Sequence, residues 1–518
     1  LVNMLPMENP PEVLTAKARD IARSLGYTER PADWTSGFFG EDANITYMQS
    51  KGHNPDEWAR LFAQPPSAVG FWYRQSPRPL AAERARSNAE AGYADPPESL
   101  PGMLSVTMDV DGRLRHFVAV PPEREAPTST AAPTDWSPLF AAARLDIAQF
   151  KPAEPQWTPL VATDTRSAWT GPYAGRSDLP VRIEAAAFHG RPVYFQVLWP
   201  WTRSARLTPE IPTASQTLRS VAYYVLAAIV LIAALWIAHY NWKAGRGDVR
   251  GATRIGIFCA AASLAAWFLG AHHVASQADQ NLIGEALANA AFIFVEYWLL
   301  YLALEPWVRR YWPQTLITWS RVLAGKWRDP MVGRDVLFGI LCGLIYLLCF
   351  ALYAFVQMRN GNPGGEFNID QLNGFRAFAH LLPLYILDGV SGSLLYFLTL
   401  FVLRALVRKQ WLAAVIWVAG WTTVRMLQVN TGPIELYLPL VVYELLTRMV
   451  VVFVMMRFGF FALVVTIFAV DAMDLAFLTT DFSAWYAQSS LAMLILITAL
   501  ALWGFRLTLG VRTRPLPA

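Results

Sequence analysis

The sequence predicts an α+β water-soluble domain followed by an all-α polytopic membrane bundle, and three observations predict it. The first is a change of solvent near residue 218. Residues 1–215 mix polar and apolar positions, whereas from Leu218 onward apolar runs follow one another, each long enough to cross a bilayer. The second is the placement of the basic residues between those runs. The third is a pair of turn-centred strand patterns, both of which fall before the change of solvent. With 54% hydrophobic and 16% charged residues, the chain is far less charged than the roughly 25% typical of a soluble protein. That composition excludes an ordinary soluble enzyme.

In the soluble part, Pro11–Leu25 is expected as a helix and Val69–Arg74 as an aromatic-rich strand. Residues 104–121 alternate apolar and polar positions around Asp111-Gly112, which reads as a hairpin because glycine tolerates the positive φ of a tight turn. Residues 121–135, rich in Pro, Thr and Ala, are expected as a linker. The design then repeats: a helix at Pro138–Phe150, a strand at Ser167–Thr170, and a hairpin over 181–200 around His189-Gly190. This suggests tandem helix-plus-β-meander units, 1–120 and 136–203, within a domain spanning 1–215. Asp109-Val-Asp-Gly lacks the twelve-residue ligand pattern of a calcium loop and is expected as a hairpin turn. Asn44-Ile-Thr fits a glycosylation acceptor. His53, His116, His189 and His239 show no metal spacing, and no nucleophile elbow, phosphate loop or dinucleotide fingerprint is present. No catalytic, cofactor-binding or metal-binding residue is therefore assigned.

Residues 216–518 are expected to hold about nine transmembrane helices, near 218–240, 255–272, 286–304, 336–357, 379–406, 411–428, 436–456, 459–478 and 489–508. If the first domain lies outside, alternation puts 241–254, 305–335, 407–410, 457–458 and the C-terminal tail inside. Those regions, with their flanking span ends, hold seventeen Lys and Arg, from Lys243 to Arg514; the outside loops hold only Arg359 and Arg376. Basic residues next to spans stay on the cytoplasmic side. The expected address is therefore a bacterial inner (cytoplasmic) membrane, with the N-terminal domain extracytoplasmic and the C-terminus cytoplasmic. The formal charge of +4 belongs to these loops and does not indicate nucleic acid. Trp298, Trp307, Trp312, Trp411, Trp421 and Trp485 fall near run ends, as an interfacial belt would. Cys259, Cys342 and Cys349 lie in apolar runs, so the soluble domain has no disulfide. The chain starts Leu1-Val2 without a signal peptide, which suggests the C-terminal portion of a longer protein whose upstream segment supplies export.

Ionisable groups inside spans are costly and therefore informative. They are Glu296, Asp388, Glu444, Arg448, Asp471 and Asp474, with Arg425 near an outer end. Glu444 and Arg448, four apart on one helix face, suit a structural pair. Asp471 and Asp474, one turn apart, could hold a cation or share a proton. Glu296 and Asp388 lie deeper. At the inner face, Glu305, Arg309 and Arg310 close the third span, with Glu305 and Arg309 spaced for a local ion pair. The loop that follows places Leu316, Ile317, Trp319, Val322 and Leu323 on one helical face beside Arg321, Lys326 and Arg328. It is expected to lie on the inner leaflet as an amphipathic helix.

Several long stretches resemble one family. They include Glu8-Asn-Pro-Pro-Glu-Val-Leu-Thr-Ala-Lys-Ala-Arg-Asp, Phe71-Trp-Tyr-Arg-Gln-Ser-Pro, Asp135-Trp-Ser-Pro-Leu-Phe, Ala303-Leu-Glu-Pro-Trp-Val-Arg-Arg, Val332-Gly-Arg-Asp-Val-Leu-Phe-Gly and Leu403-Arg-Ala-Leu-Val-Arg-Lys-Gln-Trp. Together they resemble the extracytoplasmic and polytopic region of acidobacterial-type membrane-bound serine/threonine protein kinases. The resemblance implies an N-terminal cytoplasmic kinase in cis, with ATP and Mg bound there alone, followed by a span, an outside domain and a bundle. The kinase signatures are absent from this chain, so the implied role is a sensory and anchoring module. Its expected partners are the lipid bilayer, an extracytoplasmic ligand and a second copy in a homodimer. Two alternatives stay open: a relative of the CAAX- and bacteriocin-processing intramembrane metalloproteases, for which Glu305 and Arg309 match part of a motif, and a secondary transporter using the buried acids. For the protease, His380 starts a span and His272-His273 lie at an outer end, and one histidine with one glutamate does not make a zinc site.

Overall fold

The computed structural model describes residues 7–52, 54–83, 92–124, 133–203, 214–360, 369–428, 434–474, 479 and 481–509. The start at Leu1-Val2, His53, most of the 121–135 linker, the last residues of the eighth expected span, Arg512 and Arg514 lie outside them.

Eight antiparallel strands form one sheet: β1 Asp33–Gly40, β2 Val69–Ser76, β3 Leu104–Asp109, β4 Leu114–Ala119, β5 Lys151–Ala153, β6 Thr165–Tyr173, β7 Arg176–Phe188 and β8 Arg191–Leu198. Their order is β1-β2-β3-β4-β8-β7-β6-β5. Two four-strand meanders thus meet at their fourth strands, where Phe117 of β4 pairs with Phe195 of β8. Both expected hairpins form. Gly112 has φ +82°, and His189-Gly190 both have positive φ, the pair of left-handed residues that a tight two-residue hairpin turn requires. Asp109 seals the first turn by accepting the N–H groups of Asp111 (3.0 Å) and Arg113 (2.8 Å).

Each meander has a helix before it. α1, Pro11–Ser24, starts with proline in its first turn and buries Leu14, Ala18 and Ala22, spaced four apart on one face. The second expected helix is shorter than the sequence suggested. It ends as α4 at Ser137–Ala142, because the chain turns into positive φ at Arg144 and resumes as a single 3₁₀ turn at Ile147–Gln149. Phe140 on α4 sits at the centre of an aromatic cluster with Phe150, Trp169 and Phe195. Two helices between β1 and β2, α2 Asp42–Lys51 and α3 Pro55–Ala63, and the edge strands β1 and β5 were not expected.

The rest of the described chain holds helices: α5 Ala214–Lys243, α6 Val249–Gly270, α7 Gln277–Tyr311, α8 Ile317–Leu323, α9 Pro330–Arg359, α10 Phe375–Val407, α11 Gln410–Gln428, α12 Ile434–Arg457, α13 Phe460–Asp474 and α14 Ala487–Leu509. Side chains cap several of these helices. Asp248 accepts the Gly251 N–H, Ser276 the Asp279 N–H, and Asp329 the Met331 N–H. Among the described residues six helices, α6, α7, α9, α10, α12 and α14, are long and apolar enough to cross a membrane. This marks a multi-pass membrane protein. The other three expected spans fall on α5, α11 and α13, which are not in that set; α13, as described, is 15 residues long.

Successive long helices run between two ends of the bundle. At the sheet-side end, Arg219 of α5 donates to the Leu427 carbonyl of α11. At the far end, Asn241 donates to the carbonyls of Leu302 and Ala303, and Arg254 to that of Leu323. Glycine allows the closest crossings. A Cβ on Gly339 of α9 would lie 2.8 Å from the Ala462 carbonyl of α13, and one on Gly389 of α10 would lie 2.9 Å from that of Val464.

Two expectations about the membrane surface change here. The loop helix α8 does not spread along a leaflet. It is a short element with Trp319 and Val322 buried, and Trp319 packs edge-on against Phe460 at 4.7 Å. The tryptophan belt is also only partial. Trp411 is exposed, but Trp312 is buried and Trp485 packs against the sheet domain.

Candidate functional site

The sheet domain docks on the bundle through three segments at the sheet-side end. From the α6–α7 connection, His272 Nε2 lies 3.0 Å from a carboxylate oxygen of Asp33 in β1. Ahead of α10, Ile369 and Leu372 enter the sheet-domain core, and Asn373 Oδ1 accepts the Phe38 N–H (2.9 Å). Ahead of α14, Trp485 stacks on Phe38 (5.6 Å between centroids) and donates from Nε1 to the Met7 carbonyl. Arg376, in the first turn of α10, ties that helix to the end of α6 by donating to the Leu269 and Ala271 carbonyls.

Deeper in the bundle is a cavity of about 320 Å³ between α9, α10, α12 and α13. Asp388, Tyr396, Arg448 and Asp471 line it together with Tyr346, Ser391 and Thr466. The described sheet-side end of α13, Asp474, is one turn from Asp471, and those of the other three helices are Phe375 of α10, Ile434 of α12 and Arg359 of α9. Asp388, Arg448 and Tyr346 each lie about four helical turns from those ends, which places all three about 20 Å below them.

The charges around the cavity are unevenly paired. Arg448 donates from Nη1 to the Tyr396 hydroxyl and from Nη2 to Glu444, both at 2.9 Å. Glu444 is buried and also draws Arg425, whose Nε lies 3.6 Å away. Asp388 and Asp471 have no ion-pair partner among the described residues, and Asp471 Oδ2 is buried without a hydrogen bond. Both line the same cavity, Asp388 from α10 and Asp471 from α13.

Of the residues singled out from sequence, Asp388, Arg448 and Asp471 therefore meet at one cavity, with Glu444 behind Arg448. Asp474 is one turn beyond Asp471 and exposed. Glu296 lies on α7, outside the cavity lining and near Cys259. Glu305 is buried at the far end, paired with Arg309 (2.5 Å) and accepting the Asp248 N–H (3.3 Å). It links α7 to the α5–α6 turn. Arg310 is exposed and lies over Tyr311. His380 is buried near the sheet-side end, with Nδ1 2.7 Å from the Ala266 carbonyl, so Glu305 is at the opposite end of the bundle from His272, His273 and His380. Tyr346, Tyr396, Ser391 and Thr466 were not anticipated. Hydroxyls inside apolar runs were the available signal, and tyrosines well inside a span are its strongest part.

No family model matches the chain, and neither a curated protein nor a solved structure does.

Proposed function

We propose that this chain is the sensory and anchoring membrane module of a receptor-type bacterial serine/threonine protein kinase. In this reading nine helices span the inner membrane, the sheet domain is extracytoplasmic, and the basic far end faces a kinase domain in cis. One observation carries the proposal: α10 reaches from the docking seam at Asn373 and Arg376 to the polar cavity at Asp388–Tyr396. A change at the sheet domain thus has a rigid element through which to bias the bundle. The far-end basic residues, from Lys243 to Arg457, support the orientation.

The test is hydrogen exchange on the full chain in nanodiscs, comparing wild type with an undocked variant carrying Asn373→Ala and Trp485→Leu. A sensory module changes exchange at the far end, around 241–254 and 317–328, as well as at the seam. Changes confined to the seam would reduce the sheet domain to a passive attachment. A secondary transporter is the second reading, favoured by the cavity acids. Substrate flux in proteoliposomes that Asp388→Asn abolishes would select it.

A further inference from the structure

We propose that the cavity between α9, α10, α12 and α13 is a binding site for a small organic monocation, a protonated amine. Charge is the first argument. Three carboxylates, Asp388, Asp471 and Glu444, surround or support the cavity, against two guanidiniums, Arg448 and Arg425. Glu444 holds both arginines, so the two aspartates are left without a cation. Two carboxylates lining one cavity in a low-dielectric bundle repel, and a single positive charge between them removes both the repulsion and the excess negative charge.

Position is the second argument. Asp388 is exposed on α10, a helix long and apolar enough to cross a membrane. An ionised group turned to lipid is costly, so an aspartate there suits the mouth of a polar chamber. Asp471, with Oδ2 buried and unpartnered, lines the same chamber from α13.

Size and lining give the chemical class. A volume of about 320 Å³ is at the lower limit of small-molecule pockets, and it is several times the ~30 Å³ share of one water. A bare metal ion needs several oxygens close around it and would leave most of that space to water. A small amine fills more of it, places its ammonium at the aspartates, and packs its carbon skeleton beside Tyr346 and Tyr396 in the lining. The site does not depend on the sensory reading, because a bundle that only anchors could hold the same ligand.

The experiment is a thermal melt of the full chain in nanodiscs, followed by tryptophan fluorescence, with ethylamine, ethanolamine or choline titrated at constant ionic strength. Ethylene glycol is the uncharged control, and sodium and potassium chloride are the ionic ones. We expect at least one amine to raise Tm in a saturable way. Asp388→Asn and Asp471→Asn should each weaken its apparent affinity about tenfold or more, the ~1.4 kcal/mol of one lost charge contact. Asp471→Glu, which keeps the charge, and Glu296→Gln, which lies elsewhere, should respond like wild type. If no amine acts, if either chloride gives the same saturable shift, or if the Asn variants retain the shift, the proposal is overturned. The glutamate variant separates lost binding from lost folding.

Discussion

The sheet domain and the helical bundle differ in how completely their charges are paired. In the sheet domain the buried Arg74 and Glu184 are each met close by. Arg74, 1% exposed, donates to the Gly92 and Pro96 carbonyls, and the buried Glu184 carboxylate is held by Arg182 from two residues away. In the bundle Glu444 with Arg448 and Arg425 forms a closed group, and Glu305 is paired with Arg309, while Asp388 and Asp471 are not paired among the described residues. The difference teaches where to look for function. Paired charges are accounted for by the fold, whereas unpaired acids beside a cavity are not.

Breaking the closed group should do the most damage. Glu444→Gln leaves two arginines without their counter-charge, and we expect a loss of about 3 kcal/mol, read as a lower Tm of the full chain in nanodiscs. Arg74→Met should cost about 2 kcal/mol by removing the hydrogen bonds to the Gly92 and Pro96 carbonyls. Limited proteolysis should reveal it as faster cleavage within the sheet domain while the bundle stays resistant. At the seam between the two regions, Trp485→Leu removes a ring stack and one hydrogen bond for about 1 kcal/mol. Hydrogen exchange at 33–40 would report it.

The contrast is sharpened by variants that should do little. Asp388→Asn and Asp471→Asn, having no ion pair to lose, should shift unfolding by no more than about 0.5 kcal/mol. A loss as large as that of Glu444→Gln would mean that hidden partners hold these acids. The smallest effect concerns pH. Burial pushes the Asp109 carboxyl up, and Asp111 adds to this, while the Arg113 N–H and guanidinium pull it part of the way back. The folded state then holds this proton more firmly than the unfolded state. The group's contribution to stability therefore rises as pH falls through its folded pKa, and levels off below the unfolded value. Asp109→Asn should flatten that part of the stability–pH curve, measured by chemical denaturation at several pH values.

Local features were legible because their physics is local. The hairpins at Gly112 and His189-Gly190 follow from turn chemistry, and the Glu444–Arg448 and Glu305–Arg309 pairs from helix periodicity. Each of the nine expected spans falls on a helix, although only six meet the length and hydropathy of a span among the described residues. The early end of α4 was not legible, since a non-glycine residue, Arg144, takes the left-handed conformation. Nor was the burial of α8 and Trp485, because an apolar helical face or a run-end tryptophan suits protein as well as lipid.

The sequence by itself determined the division at residue 218, the helices and hairpins on either side of it, and which ionisable groups are placed in apolar surroundings. Periodicity, turn chemistry and hydropathy act over a few residues, so one chain suffices to read them. Only the tertiary structure decided that β4 and β8 join the two meanders, that the sheet seats on Asn373 and Trp485, and that Asp388 and Asp471 share one cavity. That last meeting depends on α10 lying almost backbone to backbone with α13 at Gly389, the neighbour of Asp388. A glycine in a span shows that close approach is permitted, but which helix takes the place is settled only when the bundle packs.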